Sequence, residues 1–391
     1  MAAQAADRLK GFGTSIFTEI SSLAVKHGAV NLGQGFPDFP APDFVKEAAL
    51  RHIREDRNQY ALSWGLPRLR AALAANWLRR HGQPIDADQE ITVASGATEL
   101  LIDAVLALVN PGDEVIVFEP FYDAYVPDIQ MAGAIPRVVT LRLPNWRWDP
   151  AELRAAFTPE TRAVILNTPH NPTGKMFSLD ELRELAGLCC EHDVVVISDE
   201  VYSEITLDGA RHVPIATLPG MRDRTVTIDS MGKTFSVTGW KVGWAVASPA
   251  ITQALRGVHQ FVTFTNAVPF QEALADVLTE AATNDFYDTL RATYTRRRDQ
   301  LAAILDGVGL PTLPIQGAYF LLSDITGLGF TDDVSFCRHL CIDVGVAAIP
   351  PSAFYADPKT APVLARFCFA KKAETIEAAA ERLKKLQKRR H

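Results

Sequence analysis

Through its middle, the chain alternates short apolar runs with longer amphipathic ones. "EITVASG" at 90–96 is followed by "ATELLIDAVLALV", "DEVIVFEP" at 113–120 by "YDAYVPDIQMAG", and "AVILNTP" at 163–169 by "SLDELRELAGLCCEH". "DVVVISDE" at 193–200 and "TVTIDS" at 225–230 complete the series. Short Val/Ile runs bounded by Gly, Pro, Asp and Asn have the pattern of strands buried on both faces, and helices between them imply parallel pairing. The pattern predicts an α/β fold, a mostly parallel sheet covered by helices. After Pro249 the texture changes to long helical stretches, 250–262 and 284–309. A mixed set follows: "GAYFLLSD", "DVSFCRHLCIDVG", "VAAIP", "ARFCFAK" and a closing amphipathic "AETIEAAAERLKKLQKRR". These predict a smaller α+β unit. No repeat or flexible linker separates the two, so they are expected to share one cleft, with ligands at the carboxyl ends of the strands.

Bulk properties narrow the class. The chain has 391 residues, 48% hydrophobic and 22% charged, which is ordinary for a soluble globular enzyme and ample for a sizeable core. A net charge of −7 leaves no electrostatic footprint for nucleic acid or an anionic membrane, and the basic "KKLQKRRH" reads as a solvated helix end. "MAAQAADRLKGFG" lacks the plan of a secretory signal, and no apolar run reaches the roughly 18 residues of a membrane span. A cytoplasmic protein is expected. Five cysteines without C-x-x-C spacing are expected to be buried free thiols.

The stretch "SMGKTFSVTGWKVGW", Ser230 to Trp244, invites a nucleotide-binding reading through its "GKT". A P-loop would need glycine at 227, where Thr227 stands; Gly174-Lys175 is followed by Met176 and has Pro169 at the glycine position. A dinucleotide fold fares no better, since "GFGTSI" lacks the third glycine and follows no strand. The residues just after the strands make a different set. Gly96, Ala97 and Thr98 open a helix whose first N–H groups are free for an anion. Phe121 and Tyr122 supply aromatic faces, Asn167 and Asn171 amides, Asp199 a carboxylate, Tyr202 a phenol, and Ser230 and Lys233 a hydroxyl and an amine. An anion cradle, a stacking face, an acid for a ring nitrogen and an amine for an aldehyde are what pyridoxal 5'-phosphate requires.

The segments "NLGQGFPDFPAPDFVKEA", "NQYALSWGLPRLRAALA", "LNTPHNPTG", "SDEVY", "SMGKTFSVTGWKVGW" and "ARFCFAK" occur in an order that resembles the fold type I pyridoxal-phosphate aminotransferases of class I/II. The resemblance runs from about Phe17 to the last helix and is closest to the kynurenine, glutamine and methionine branch. It implies an N-terminal arm with part of a small domain at 1–44, a large cofactor domain at 45–285 and a small domain at 286–391. It further implies that Lys233 is the amine that bonds the cofactor aldehyde and that Asp199 pairs with the ring nitrogen. Tyr202 and Asn171 would donate to the phenolate oxygen, with Asn167 nearby, and Tyr122 would stack on the ring, whereas Phe121 reads as core. Lys241 would hold the phosphate with Ser230 and the amides at Ala97 and Thr98. Arg366 would fork the substrate carboxylate, a geometry lysine lacks, where Gly35 lets the backbone approach.

For the side-chain pocket the resemblance implies Phe17 and Phe354, joined by Tyr60, Phe264 and Thr265 from the other subunit of a homodimer, Tyr60 also touching phosphate. Many members specific for dicarboxylic acids carry an extra cation, a partner-subunit Arg or a Lys after the cradle glycine; here no Arg falls between Arg256 and Arg291, and Ala97 follows Gly96. The implied substrates are therefore an apolar, thioether, amide or aromatic amino acid and a 2-oxo acid. A C–S β-lyase of cysteine conjugates and an N-succinyldiaminopimelate transaminase stay open. An aminotransferase-like transcription regulator is disfavoured, because only 30 residues precede "NLGQGF".

Overall fold

In the computed structural model, which describes residues 6–9, 12, 13 and 15–387, the alternating segments form one seven-stranded sheet. A two-residue strand, β1 (Val30–Asn31), lies apart from it. The sheet itself contains β2 (Ile91–Ala94), β3 (Glu114–Glu119), β4 (Ile135–Thr140), β5 (Thr161–Asn167), β6 (Val195–Asp199), β7 (Thr225–Ser230) and β8 (Gly243–Val246). Its order is β2-β8-β7-β6-β5-β3-β4, with β8 antiparallel to both neighbours and every other pair parallel. β3, β6 and β7 are buried along their whole length, which is why they read as unbroken apolar runs. The sequence pattern leaves β4 unmarked. It is one of the two edge strands, only Val139 of it is buried, and it carries Pro136, which an edge tolerates and an interior strand does not.

From β3 the chain steps outward to β4, then returns to build β5, β6 and β7 on the other side of β3. Such a reversal opens a crevice at the strand carboxyl ends. The helix Ala97–Leu108 lies across the sheet, its Leu100 and Ala104 in one core with Ile197, Val226 and Ile228. The helices Asp43–Arg54 and Pro67–His81 pack against Val268–Ala281. The last of these lacks an amphipathic signal because eight of its residues, including the polar Gln271, are buried.

The remaining strands are β9 (Phe320–Asp324), β10 (Val346–Ala347) and β11 (Leu364–Cys368); β1 pairs with β10, and β9 with β11. Ile20 and Ala24 of the helix Ile16–His27 share a core with these strands and with Leu383 of the closing helix Ala373–Gln387. That core runs on to Val201, Tyr202 and Ile205, directly after β6, so the two units adjoin without a gap. Cys189, Cys337, Cys341 and Cys368 are buried free thiols as expected, but Cys190 is exposed, on the outer face of its helix. Residues 388–391, the end of the basic run, and Gly11 and Thr14 of "GFGTSI" lie outside the described residues. Among the described residues, no helix is long and apolar enough to cross a membrane.

Leu100 ties the helix Ala97–Leu108 to the sheet with no exposed surface. Leu100→Ala should destabilise the protein by about 2–5 kcal/mol through lost burial and a residual cavity. A denaturation midpoint unchanged from the parent would contradict this packing.

Candidate active site

Gly96 adopts φ +86° and starts the helix Ala97–Leu108 without a side-chain cap, which leaves its first N–H groups free. Behind it runs β8. A Cβ on Gly243 would lie 2.6 Å from the Gly96 carbonyl carbon, so only glycine lets β8 press this close. Lys241 turns through φ +53° and brings its Nζ within 3.3 Å of where a Gly96 Cβ would sit. The free amides and this ammonium make one anion cradle, with Ser230 on its rim.

Across the crevice, the buried Asp199 ends β6. Its Oδ2 accepts a hydrogen bond from the Tyr125 hydroxyl at 2.7 Å, and its Oδ1 accepts from the Val201 N–H at 3.3 Å. Burial raises the Asp199 pKa, opposed by the Tyr125 hydrogen bond and the charge of Lys233. Asn167 holds the neighbouring loop: its Nδ2 donates to the Asp199 carbonyl at 2.9 Å, and its Oδ1 accepts from the Asn171 N–H at 2.7 Å. The Asn171 Oδ1 is taken in turn by Arg366 Nη1 at 2.8 Å. Tyr122 rests edge-on to Tyr125, while Phe121 is buried in the sheet core.

Lys233 follows β7 in the short helix Met231–Thr234. Its Nζ lies 3.4 Å from the Gly35 carbonyl and 5.6 Å from the centre of the Tyr202 ring. Burial, aided by the charges of Lys241 and Arg366 against the pull of Asp199, pushes its pKa down to about 8. Gly35 belongs at this point because a Cβ would lie 2.8 Å from the Phe320 ring. The same loop offers the Gly33 carbonyl to Arg366 Nη2 at 3.0 Å. Arg366 is wholly buried, its Nε has no partner, and the rings of Phe320, Phe17 and Phe354 lie 4.1, 5.1 and 5.2 Å from its guanidinium carbon.

Gly96, Ala97, Thr98, Tyr122, Asn171, Asp199, Tyr202, Ser230, Lys233 and Lys241 all line one cavity of about 230 Å³. Gly35, Arg366, Phe17 and Phe354 stand beside it through the contacts just given. Tyr60, Phe264 and Thr265 do not reach the cavity of their own chain. Tyr60 is 82% exposed and packs edge-on against the half-exposed Phe264. Sequence reasoning missed Tyr125, Gly243 and Phe320. Tyr125 had a signal in its position one helical turn beyond Tyr122, and Gly243 in being a glycine within a strand.

This donor set fits pyridoxal phosphate: a cradle for its phosphate, a buried carboxylate for its ring nitrogen, an amide and a phenol for its oxygen, and a lysine of lowered pKa for its aldehyde. The unpartnered Arg366 Nε leaves a donor for one more anion beside them. Fold and site define a fold type I pyridoxal-phosphate enzyme. The chain belongs to the aminotransferase class I and II family, whose profile matches residues 27–383. It is 44% identical over 379 residues to the methionine aminotransferase of Escherichia coli K12, covering 97% of each chain. It is 42% identical to a kynurenine–oxoglutarate transaminase of Dictyostelium discoideum, covering 96% of this chain and 95% of the relative. The structure of N-succinyldiaminopimelate aminotransferase from Mycobacterium tuberculosis superposes with a TM-score of 0.94 at 42% identity, covering 98% of this chain and 100% of the other. The chain is a pyridoxal-phosphate-dependent transaminase.

The lowered pKa gives a signed pH dependence. In cofactor-free protein, acylation of Lys233 by acetic anhydride, followed by peptide mapping, should speed up as pH rises through about 8, where the amine loses its proton. A midpoint near the ordinary lysine value, about 10.4, would contradict the desolvated setting.

Proposed function

We propose that the chain moves an amino group, in a ping-pong cycle, from an L-amino acid of the methionine, glutamine, kynurenine or phenylalanine type to a 2-oxo acid. One observation carries the substrate class: the buried guanidinium of Arg366 has a free Nε and is walled by the rings of Phe17, Phe320 and Phe354. A carboxylate satisfies that donor as one arm of a fork, and the rings suit an apolar or aromatic side chain. Among the residues lining the cavity the cations are Lys233 and Lys241, both already given other work, so none remains for a second substrate carboxylate. The names of the Escherichia coli and Dictyostelium relatives support the same class.

Bound pyridoxal phosphate supplies an electron-withdrawing ring that stabilises the charge left when an amino acid loses its Cα proton. In this reading Lys233 Nζ takes and returns that proton, which its lowered pKa allows near neutrality. Asp199 would accept a hydrogen bond from the ring nitrogen and keep it protonated, and Tyr202 and Asn171 would donate to the phenolate oxygen. Tyr122 would cover the ring face. Ala97, Thr98, Ser230 and Lys241 bind phosphate, and Gly35 and Arg366 orient the substrate carboxylate. Tyr60, Phe264 and Thr265 complete the other site of a homodimer, supported by the exposed Tyr60–Phe264 pair. We also propose domains at 45–285 and 286–391 with an arm at 1–44, and a cytoplasmic location, in keeping with the free cysteines. A second reading, transamination of N-succinyldiaminopimelate, has in its favour the likeness to the Mycobacterium tuberculosis structure.

Methionine, glutamine or phenylalanine, added to loaded enzyme without any 2-oxo acid, should convert the cofactor to its amine form with release of one oxo acid per site. Aspartate should do so far more slowly, and added 2-oxo acid should reverse the spectral change. If N-succinyldiaminopimelate alone reacts, the second reading replaces the first. Sustained pyruvate and ammonia from a cysteine conjugate, with no bleaching by any plain amino acid, would make the protein a C–S β-lyase. Strictly monomeric sedimentation would remove the shared site.

A further inference from the structure

Tyr125 opens the helix Tyr125–Met131, only 3% exposed. Its ring stands edge-on to Tyr122, with centroids 5.6 Å apart, so the aromatic wall fixes its direction. Its hydroxyl donates to Asp199 Oδ2 at 2.7 Å. Among the described residues, the carboxylate accepts one other hydrogen bond, the longer one from the Val201 N–H at 3.3 Å. Tyr125 thus supplies the shorter of the two bonds that orient a buried carboxylate.

We infer that Tyr125 is a positioning residue that fixes the direction and the proton affinity of Asp199, and through Asp199 the protonation of the cofactor's ring nitrogen. The inference rests on the role given to Asp199 above. A carboxylate cut off from water holds its negative charge only as far as neighbouring donors stabilise it. The phenol does this without adding charge. Burial itself raises the proton affinity of Tyr125, so the hydroxyl stays a donor and does not compete as a base. Remove the hydroxyl, and a proton shared between Asp199 and a ring nitrogen moves toward Asp199. A neutral ring nitrogen withdraws electrons less strongly, so loss of the substrate Cα proton slows. Substrate capture, which belongs to Arg366, is left alone.

Tyr125→Phe removes one oxygen and keeps the ring, so packing and cofactor content serve as the check on folding. In holoenzyme loaded with cofactor labelled with ¹⁵N in its ring, the nitrogen signal should move from the protonated toward the unprotonated value. The rate constant kcat should fall roughly tenfold or more, in line with losing a hydrogen bond to a charged group. KM for the amino acid should stay within about twofold, as expected when ground-state binding is untouched. Asp199→Asn separates the two layers of the argument. If Asp199→Asn shifts the nitrogen signal and Tyr125→Phe does not, the inference about Tyr125 fails while the Asp199 reading stands. If neither shifts it, the Asp199 reading fails as well. In an Asp199→Asn background, Tyr125→Phe should cause no further shift, because its effect passes through the carboxylate.

Discussion

Asp199 and Lys233, at the carboxyl ends of β6 and β7, and Arg366, in the middle of β11, are buried with no ion pair among them, although each carries or can carry a full charge. Burying charge without a partner is strongly unfavourable. Here the surrounding chain moderates the penalty without cancelling it. Tyr125 and the Val201 amide hold Asp199, carbonyls of Gly33 and Gly35 face Arg366 and Lys233, and the Asn171 side chain caps the guanidinium. What remains unmet is the free Nε of Arg366 and a lysine pushed toward neutrality. A cavity whose charges are oriented but unsatisfied is prepared for ligands of complementary charge.

The rest of the architecture serves that arrangement. The reversal between β4 and β5 opens the crevice, and the closeness of Gly243 to Gly96 aims a helix N-terminus into it. Asn171 joins the part of the site suited to a cofactor to the part suited to a substrate: its backbone is held by Asn167 and its side chain by Arg366. Movement of Arg366 toward a bound carboxylate would therefore be felt at Asn171, two bonds away from Asp199 through Asn167.

Much of this was legible in the sequence because strands buried on both faces write their ends clearly. An apolar run that stops at a polar residue marks a candidate position: Asp199 and Ser230, at such ends, and Lys233, three residues beyond the second, all line the cavity. Arg366 was visible as a charge within an apolar strand. The edge strand β4 and the largely buried helix Val268–Ala281 escaped because neither carries the periodicity that marks its type. Tyr125 escaped because its partner lies 74 residues away in sequence, and its spacing from Tyr122 hints at a shared face without naming Asp199 as what it meets. A glycine within a strand, Gly243 signals a close approach, but that Gly96 is the backbone pressed against it is set by the fold.

At the centre of the account is the claim that Lys233, among all the lysines, is the amine that meets the cofactor. Loading the protein with pyridoxal phosphate, reducing it with borohydride and mapping the peptides tests this directly. The account predicts a pyridoxyl group on the peptide carrying Lys233 and no labelled site in the Lys233→Ala protein. Label confined to Lys241 or Lys175, or undiminished label in Lys233→Ala, would contradict it.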